Sequence, residues 1–226
     1  MAEDKNKEAP LPQPDKIEVY AKRTLEFVKT NQTAIAVAVS AVVLAAVIVS
    51  GVIYFQKRAE EKAQAMLGKA LAQAEAAQRG NAAEARFAQI KPKFEEVINK
   101  YGSTAAGKAA LVKYADLCYQ TGDYDRAIEM YQKALDAYDT GEIKGFILNG
   151  LAYAYESKEA YDKAATYFNR IVTDKSAVMK DQALFNLGRI YGKMGDSEKQ
   201  REAYDRIVSD YPDSMYYQLA KEMLAA

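Results

Sequence analysis

The 226-residue sequence has no histidine, a single cysteine (Cys118) and only five prolines, and its 31 Lys plus Arg are balanced by 31 Asp plus Glu. Each shortage removes a class of chemistry. Without histidine there is no Ser-His-Asp or Cys-His nucleophile and no imidazole metal site. One cysteine excludes a disulfide within the chain, a CxxC redox pair and a thiolate zinc site. Proteins that grip nucleic acid through its phosphates carry a basic surplus, and a net charge of zero supplies none. No pair of carboxylates stands out from the solvated faces as an acid–base couple. The expectation is therefore no enzyme, with no catalytic or metal-binding residues, no cofactor, no small-molecule substrate and no nucleic acid. Half of the residues are hydrophobic, enough to pack one modest domain or two small ones.

What is present begins with a long apolar run. No charged residue lies between Thr30 and Gln56, and Ile35 to Phe55 reads IAVAVSAVVLAAVIVSGVIYF. A helix of that length, at about 1.5 Å per residue, matches a hydrocarbon core of about 30 Å. Tyr54 and Phe55 stand where interfacial aromatics belong, and Lys57 and Arg58 follow at once. A transmembrane helix over 33–56 is the expectation, set against a buried core helix. The run starts too late and runs too long for an ordinary cleaved signal peptide. The positive-inside rule does not orient it: Lys16, Lys22, Arg23 and Lys29 on one flank face Lys57, Arg58, Lys62 and Lys69 on the other. A short uncleaved tail before a large C-terminal domain suits a signal anchor, which puts the N-terminus in the cytoplasm.

Residues 1–14, with Pro10, Pro12 and Pro14, read as an extended, disordered tail. Asp15 and Glu18 then resemble a capping box, and Ile17, Tyr20, Ala21, Leu25 and Val28 recur at helical spacing over 15–31. Two readings fit this amphipathic helix: it lies at a membrane surface, or it is a solvated lead-in to the span.

Beyond the span the sequence repeats itself. The segment GKAALVKYADLCYQTGDYDRAIEMYQKALDAYDT (107–140) aligns with residues 143–176 and again with 180–214, at periods of about 37 and about 36 residues, the signature of a helical solenoid. First-helix positions are Leu111, Tyr114, Ala115 and Cys118, then Leu148, Leu151, Ala152 and Tyr155, then Leu184, Leu187, Gly188 and Tyr191. Second-helix positions are Ala127, Tyr131 and Ala134, then Ala164, Phe168 and Ile171, then Gln200, Tyr204 and Ile207 with Pro212. This order of large, Leu and small, then Ala, aromatic and Ala, resembles tetratricopeptide repeats. Gly122-Asp123 and Gly195-Asp196 read as tight turns, a glycine ending one helix and an aspartate capping the next. Repeat two has Glu159-Ala160 there instead, and Gln200 stands where repeat three should be small, so that hairpin is expected to splay. Cys118 takes a packing position, and a buried structural thiol is expected.

The fold class expected is all-α: a single transmembrane helix followed by a tetratricopeptide-repeat helical solenoid. Residues 57–102 form a juxtamembrane helix and degenerate repeat, with Ile90, Phe94 and Val97 in second-helix places, Pro92 kinking or shortening that helix, and Gly80-Asn81 ending the one before it. Repeats one to three occupy 103–140, 141–177 and 178–212, and 213–226 form a C-terminal capping helix. First helices of such solenoids line a concave groove. The motif aims Val112, Asp116 and Tyr119, then Phe146, Asn149 and Tyr153, then Gln182, Phe185, Arg189 and Lys193 into it. A clamp for an acidic tail would draw only on Arg189 and Lys193. An aromatic groove that covers apolar segments of a partner fits better, with packing against adjacent repeats as the alternative use of each aromatic.

The layout as a whole resembles the YfgM-like ancillary subunit of the bacterial Sec translocon. That resemblance implies a single-pass inner-membrane protein with a periplasmic solenoid beside SecYEG and a membrane-anchored foldase, assisting unfolded exported clients in a chaperone-like way. The alternative is a tetratricopeptide scaffold for an envelope or cell-division complex, facing either side.

Overall fold

The computed structural model describes residues 16–78, 83–138, 142–175 and 178–225, and every regular element among them is an α-helix. The chain divides into two compact units, Met1–Phe55 and Gln56–Ala226.

The first unit holds α1 (Lys16–Thr30) and the start of α2 (Gln32–Gln78), which runs for 47 residues. Asp15 and the prolines before it lie outside the described residues. Large apolar side chains from Val37 to Phe55 are 49–70% exposed, so this stretch is not the core helix of the unit it belongs to. Among the described residues it makes α2 the one helix long and apolar enough to cross a membrane.

In the second unit the remainder of α2 changes character. Ala63, Leu67, Ala70 and Ala74, spaced four, three and four apart, are buried along one stripe. They share a core with Ile90, Phe94 and Val97 of α3 (Ala83–Tyr101). Gly80 and Asn81 lie outside the described residues. Of the kink or shortening expected at Pro92, the shortening is corrected: α3 continues through it. Pro92 and Ala88 are both exposed, so the carbonyl that loses its helical donor faces water, while Ile90 and Phe94 pack on the opposite side.

Seven more helices follow: α4 (Ala105–Gln120), α5 (Tyr124–Ala137), α6 (Glu142–Ser157), α7 (Tyr161–Thr173), α8 (Lys180–Met194), α9 (Ser197–Asp210) and α10 (Tyr217–Ala225). From α3 onward each packs on the next. The start of α4 is capped twice. Thr104 Oγ1 accepts from Gly107 N at 3.0 Å, and the Glu60 carboxylate of α2 accepts from Ala105 N at 2.7 Å and Ala106 N at 3.1 Å.

The three hairpin turns share one geometry. The amides of Asp123, Ala160 and Asp196 donate to the carbonyls of Cys118, Tyr155 and Tyr191, each at 2.9 Å, closing the loop five residues back. That closure needs a left-handed residue just before. Gly122 (φ 79°) and Gly195 (φ 76°) supply it without strain, whereas in repeat two Glu159 is forced to φ 58°. Asp123 and Asp196 then cap the second helices through Arg126 N at 3.3 Å and Lys199 N at 3.1 Å, while Ala160 caps nothing. Repeat two therefore lacks both devices. Glu159→Gly should stabilise the solenoid by about 0.5–1 kcal/mol, and adding Ala160→Asp by about 1 kcal/mol more. Thermal melts of the full chain in detergent, followed by circular dichroism, check this. A lower melting temperature for the double variant would show that the turn is held by something else.

Packing between the two helices of a hairpin depends on small residues. A Cβ on Gly188 of α8 would lie 2.4 Å from the Tyr204 ring of α9. Gln200 does not splay this third hairpin, contrary to expectation. It lies against Gly192, where a Cβ would come within 2.7 Å of its Nε2, so a missing side chain on α8 makes room for the large one on α9. Cys118 is fully buried, and the position it holds passes to Tyr155 and Tyr191 in the later repeats. In repeat one the same core holds Phe94 stacked on Tyr114 at 5.5 Å. Tyr155 stacks on Tyr167 at 5.5 Å, and the Tyr191 hydroxyl accepts from Asn169 Nδ2 at 3.0 Å.

Candidate functional site: an apolar cavity between the first helices

The first helices α4 and α6 lie side by side, and between them opens a cavity of about 520 Å³. Six of the ten groove positions expected from the sequence line it: Val112, Asp116 and Tyr119 from α4, and Phe146, Asn149 and Tyr153 from α6. Helical spacing explains the grouping, because 112, 116 and 119 share one face of α4, as 146, 149 and 153 do on α6. Phe146 is 55% exposed and Ile143, one turn earlier, 46% exposed. They form an apolar ledge at the mouth.

The floor comes from residues that the motif did not single out as groove. Tyr131 of α5 lies beneath, its ring filling the space where a Cβ on Gly150 would sit, at 2.5–2.9 Å. Its hydroxyl donates to Asp116 Oδ1 at 2.6 Å. Burial, and then this bond to a carboxylate, raise the Tyr131 pKa well above the ordinary phenol value, so it stays a neutral donor. Asp116 is thereby turned toward the floor rather than left open to a ligand. Ala109, Lys113, Tyr138 and Ile143 complete the lining. Ala109 and Lys113 sit one turn from Val112 and Asp116 and were legible from that spacing. Tyr138 follows the last residue of α5, and no periodicity points to it.

Tyr119 and Tyr153 serve both the cavity and the joints between repeats. Tyr119 packs on Tyr124 at 5.6 Å and its hydroxyl accepts from Ser157 Oγ at 3.4 Å, which links repeats one and two. Tyr153 meets Phe168 edge-on at 5.5 Å, and its hydroxyl accepts from Asn186 Nδ2 at 2.9 Å. Asn186 is the sole buried polar residue of the core among the described residues, and the bond satisfies it.

The other four expected positions lie on α8 and do not line this cavity. Gln182 is half-buried. Phe185 is covered by the chain itself, stacked on Tyr216 at 4.9 Å between ring centroids. The two cations are occupied: Arg189 Nη2 donates to Glu156 at 3.1 and 3.2 Å and to Asn186 Oδ1 at 3.2 Å, and Lys193 Nζ donates to Glu156 at 2.9 Å. The Glu156 side chain is 11% exposed, so this is a shielded brace between repeats two and three. An acidic tail would have to displace Glu156 before either cation could grip it.

Comparison with known proteins fits this geometry. Tetratricopeptide-repeat family profiles match residues 108–174 and 182–214. A curated relative, the general transcriptional corepressor trfA of Dictyostelium discoideum, is 35% identical over 92 residues, which is 41% of this chain but only 6% of that protein. A tetratricopeptide repeat protein from Parabacteroides merdae superposes with a TM-score of 0.58 at 15% identity, over 73% of this chain and 59% of that one. The pilF protein of Pseudomonas aeruginosa superposes with a TM-score of 0.50 at 19% identity, over 74% of this chain and 73% of that one. At these identities the structural likeness shows the fold alone. Profiles, period and packing agree: the chain carries tetratricopeptide repeats over residues 108–174 and 182–214, folded as an all-α helical solenoid of the kind that serves as a protein–protein interaction module.

Proposed function

We propose that this chain is a membrane-anchored docking platform whose cavity between α4 and α6 receives an apolar segment of a partner protein. The observation that carries the reading is the ledge of Phe146 and Ile143, both about half exposed, beside a cavity lined mainly by apolar and aromatic groups. Water gains little from such a surface, and a partner that fills it releases apolar area on both sides. The long apolar stretch of α2 supports a single span that holds the platform at a bilayer. Together with the resemblance of the layout, this supports a place beside SecYEG and a membrane-anchored foldase, with the solenoid on the periplasmic side of a bacterial inner membrane, contacting newly exported chains.

Two measurements test the reading. A photo-activatable residue at Asn149, in cells, should give adducts with a translocon subunit or its foldase, and Phe146→Ala should reduce their yield by roughly tenfold or more, as expected for an anchoring aromatic. Unchanged adducts would move the partner surface off this cavity. Alkaline phosphatase fused after Ala226 should be active. An inactive fusion would place the solenoid in the cytoplasm and leave the scaffold alternative.

A further inference from the structure

α1 is not part of the solenoid, and its side chains divide cleanly. At about 100° per residue, Ile17, Tyr20, Ala21, Thr24, Leu25, Phe27 and Val28 fall within an arc of roughly 160°. Its large members Ile17, Tyr20, Leu25, Phe27 and Val28 are 44–76% exposed. Thr24 is the one polar residue in the arc, and its hydroxyl is spent internally on Tyr20 O at 2.9 Å. Over residues 17–30 the remaining arc carries all the charge, three basic residues (Lys22, Arg23, Lys29) against two acidic ones (Glu18, Glu26), and Lys16 adds one more positive charge in the sequence. Val19 is the exception, an apolar residue on the charged side. Arg23 lies toward one edge of the apolar arc and Lys29 toward the other, where Lys22 Nζ pairs with Glu18 Oε1 at 3.0 Å.

At its C-terminal end α1 meets a break. Asn31 belongs to neither helix, and both its backbone N and its Nδ2 donate to Phe27 O at 3.0 Å. Thr30 Oγ1 donates to Glu26 O at 2.8 Å. Side chains that compete for the last carbonyls loosen a helix and allow it to bend. Gln32 and Thr33 then precede the apolar stretch, so the bend point falls where polar sequence gives way to apolar.

We propose that α1 is an interfacial helix: it lies on the bilayer surface with the arc from Phe27 to Leu25 in the acyl boundary and its basic edges on anionic headgroups, hinged at Asn31. Both halves of the match are visible in the helix, since an apolar face whose flanks carry Arg23 and Lys29 suits a negatively charged lipid surface in a way that it would not suit water. The proposal rests on the membrane reading of α2. It also selects one of the two arrangements that the periodicity allowed, because a solvated lead-in would leave five large apolar side chains in water.

The sequence contains no tryptophan, so a single introduced one reports its own surroundings. The full chain is reconstituted in bilayers of phosphatidylglycerol and brominated phosphatidylcholine, with tryptophan placed by Phe27→Trp, Glu26→Trp or Val43→Trp. Val43 lies in the apolar stretch and reads the span alone; an unquenched Val43→Trp would remove the membrane reading whatever α1 does. For α1, Phe27→Trp should emit at shorter wavelength and be quenched several-fold more strongly than Glu26→Trp. Leaving out phosphatidylglycerol, or adding high salt, should weaken the quenching of Phe27→Trp but not of Val43→Trp. Equal, weak quenching at 26 and 27 overturns the proposal in favour of a solvated helix. Equal, strong quenching overturns it in favour of an embedded one. Short-wavelength emission at 27 without quenching means that a protein surface covers the face, and overturns it too. Quenching at 27 that ignores lipid charge removes the headgroup role.

Discussion

Phe168→Ala is expected to cost the solenoid about 3–5 kcal/mol, the range for emptying a packed aromatic site. Phe168 is fully buried in the core of the second and third repeats, among Leu148, Ile171 and Leu184. The ring also carries the edge contact from Tyr153, whose hydroxyl in turn holds Asn186 of the next repeat. Truncation therefore leaves a cavity and loosens a joint. Because solenoid stability is approximately a sum of repeat and interface terms, weakening the middle repeat should also split one unfolding transition into two. In the full chain in detergent, the main melting temperature should fall by roughly 6–20 °C, from about 2–4 °C per kcal/mol at this size. Phe146→Ala is the matched control: it removes the same atoms from an exposed site and should change stability by no more than about 0.5 kcal/mol. Equal shifts for the two variants would refute the assignment of Phe168 to the core and Phe146 to the exposed mouth of the cavity.

The repeat was legible because a period of about 36 residues is redundant: each packing position is stated three times, and Leu111, Leu148 and Leu184 confirm one another. The groove was only half legible. Helical spacing places a side chain on the concave face but says nothing of what else reaches it. Phe185 is as aromatic as Phe146, yet Tyr216, from beyond the repeats, covers it. Arg189 and Lys193 look free in the sequence until Glu156, more than thirty residues earlier, closes on both. The same limit explains Gln200 and Pro92. A motif scores each residue alone, whereas Gln200 is accommodated by the absence of a side chain at Gly192, and Pro92 by its place on the wet side of α3. Glu159 is the converse case. The missing turn glycine was plain in the sequence, but the chain keeps the turn and accepts a left-handed glutamate. The same closing hydrogen bond in all three hairpins shows that the turn geometry is kept in spite of the local cost there.

Alkali should unfold the solenoid well before it unfolds an average helical domain, and Cys118 should be a main reason. Burial, and after it the nearby Asp123 carboxylate, push the thiol from 9.0 up to about 12. The sign follows from proton binding. Above pH 9 the unfolded chain gives up the thiol proton while the folded chain keeps it, so unfolding is favoured as pH rises. The stabilisation is complete below pH 9 and is lost progressively toward pH 12. At about 1.4 kcal/mol per unit, Cys118 alone removes roughly 2–3 kcal/mol by pH 11. Tyr114, beside it, and Tyr131 are both shifted upward chiefly by burial and add to the loss in the same direction. Urea titrations of the full chain in detergent at pH 8 and pH 11 measure the drop. Cys118→Ala should start slightly less stable at pH 8, since a buried atom is lost, yet fall less between the two values, because only the tyrosines remain to ionise. At pH 8 the thiol should also resist alkylation until denaturant is added. A variant that loses as much stability as the parent between pH 8 and pH 11, or a thiol that reacts freely in the folded chain, would show that Cys118 is reached by water and that the joint between α3, α4 and α5 is looser than its packing implies.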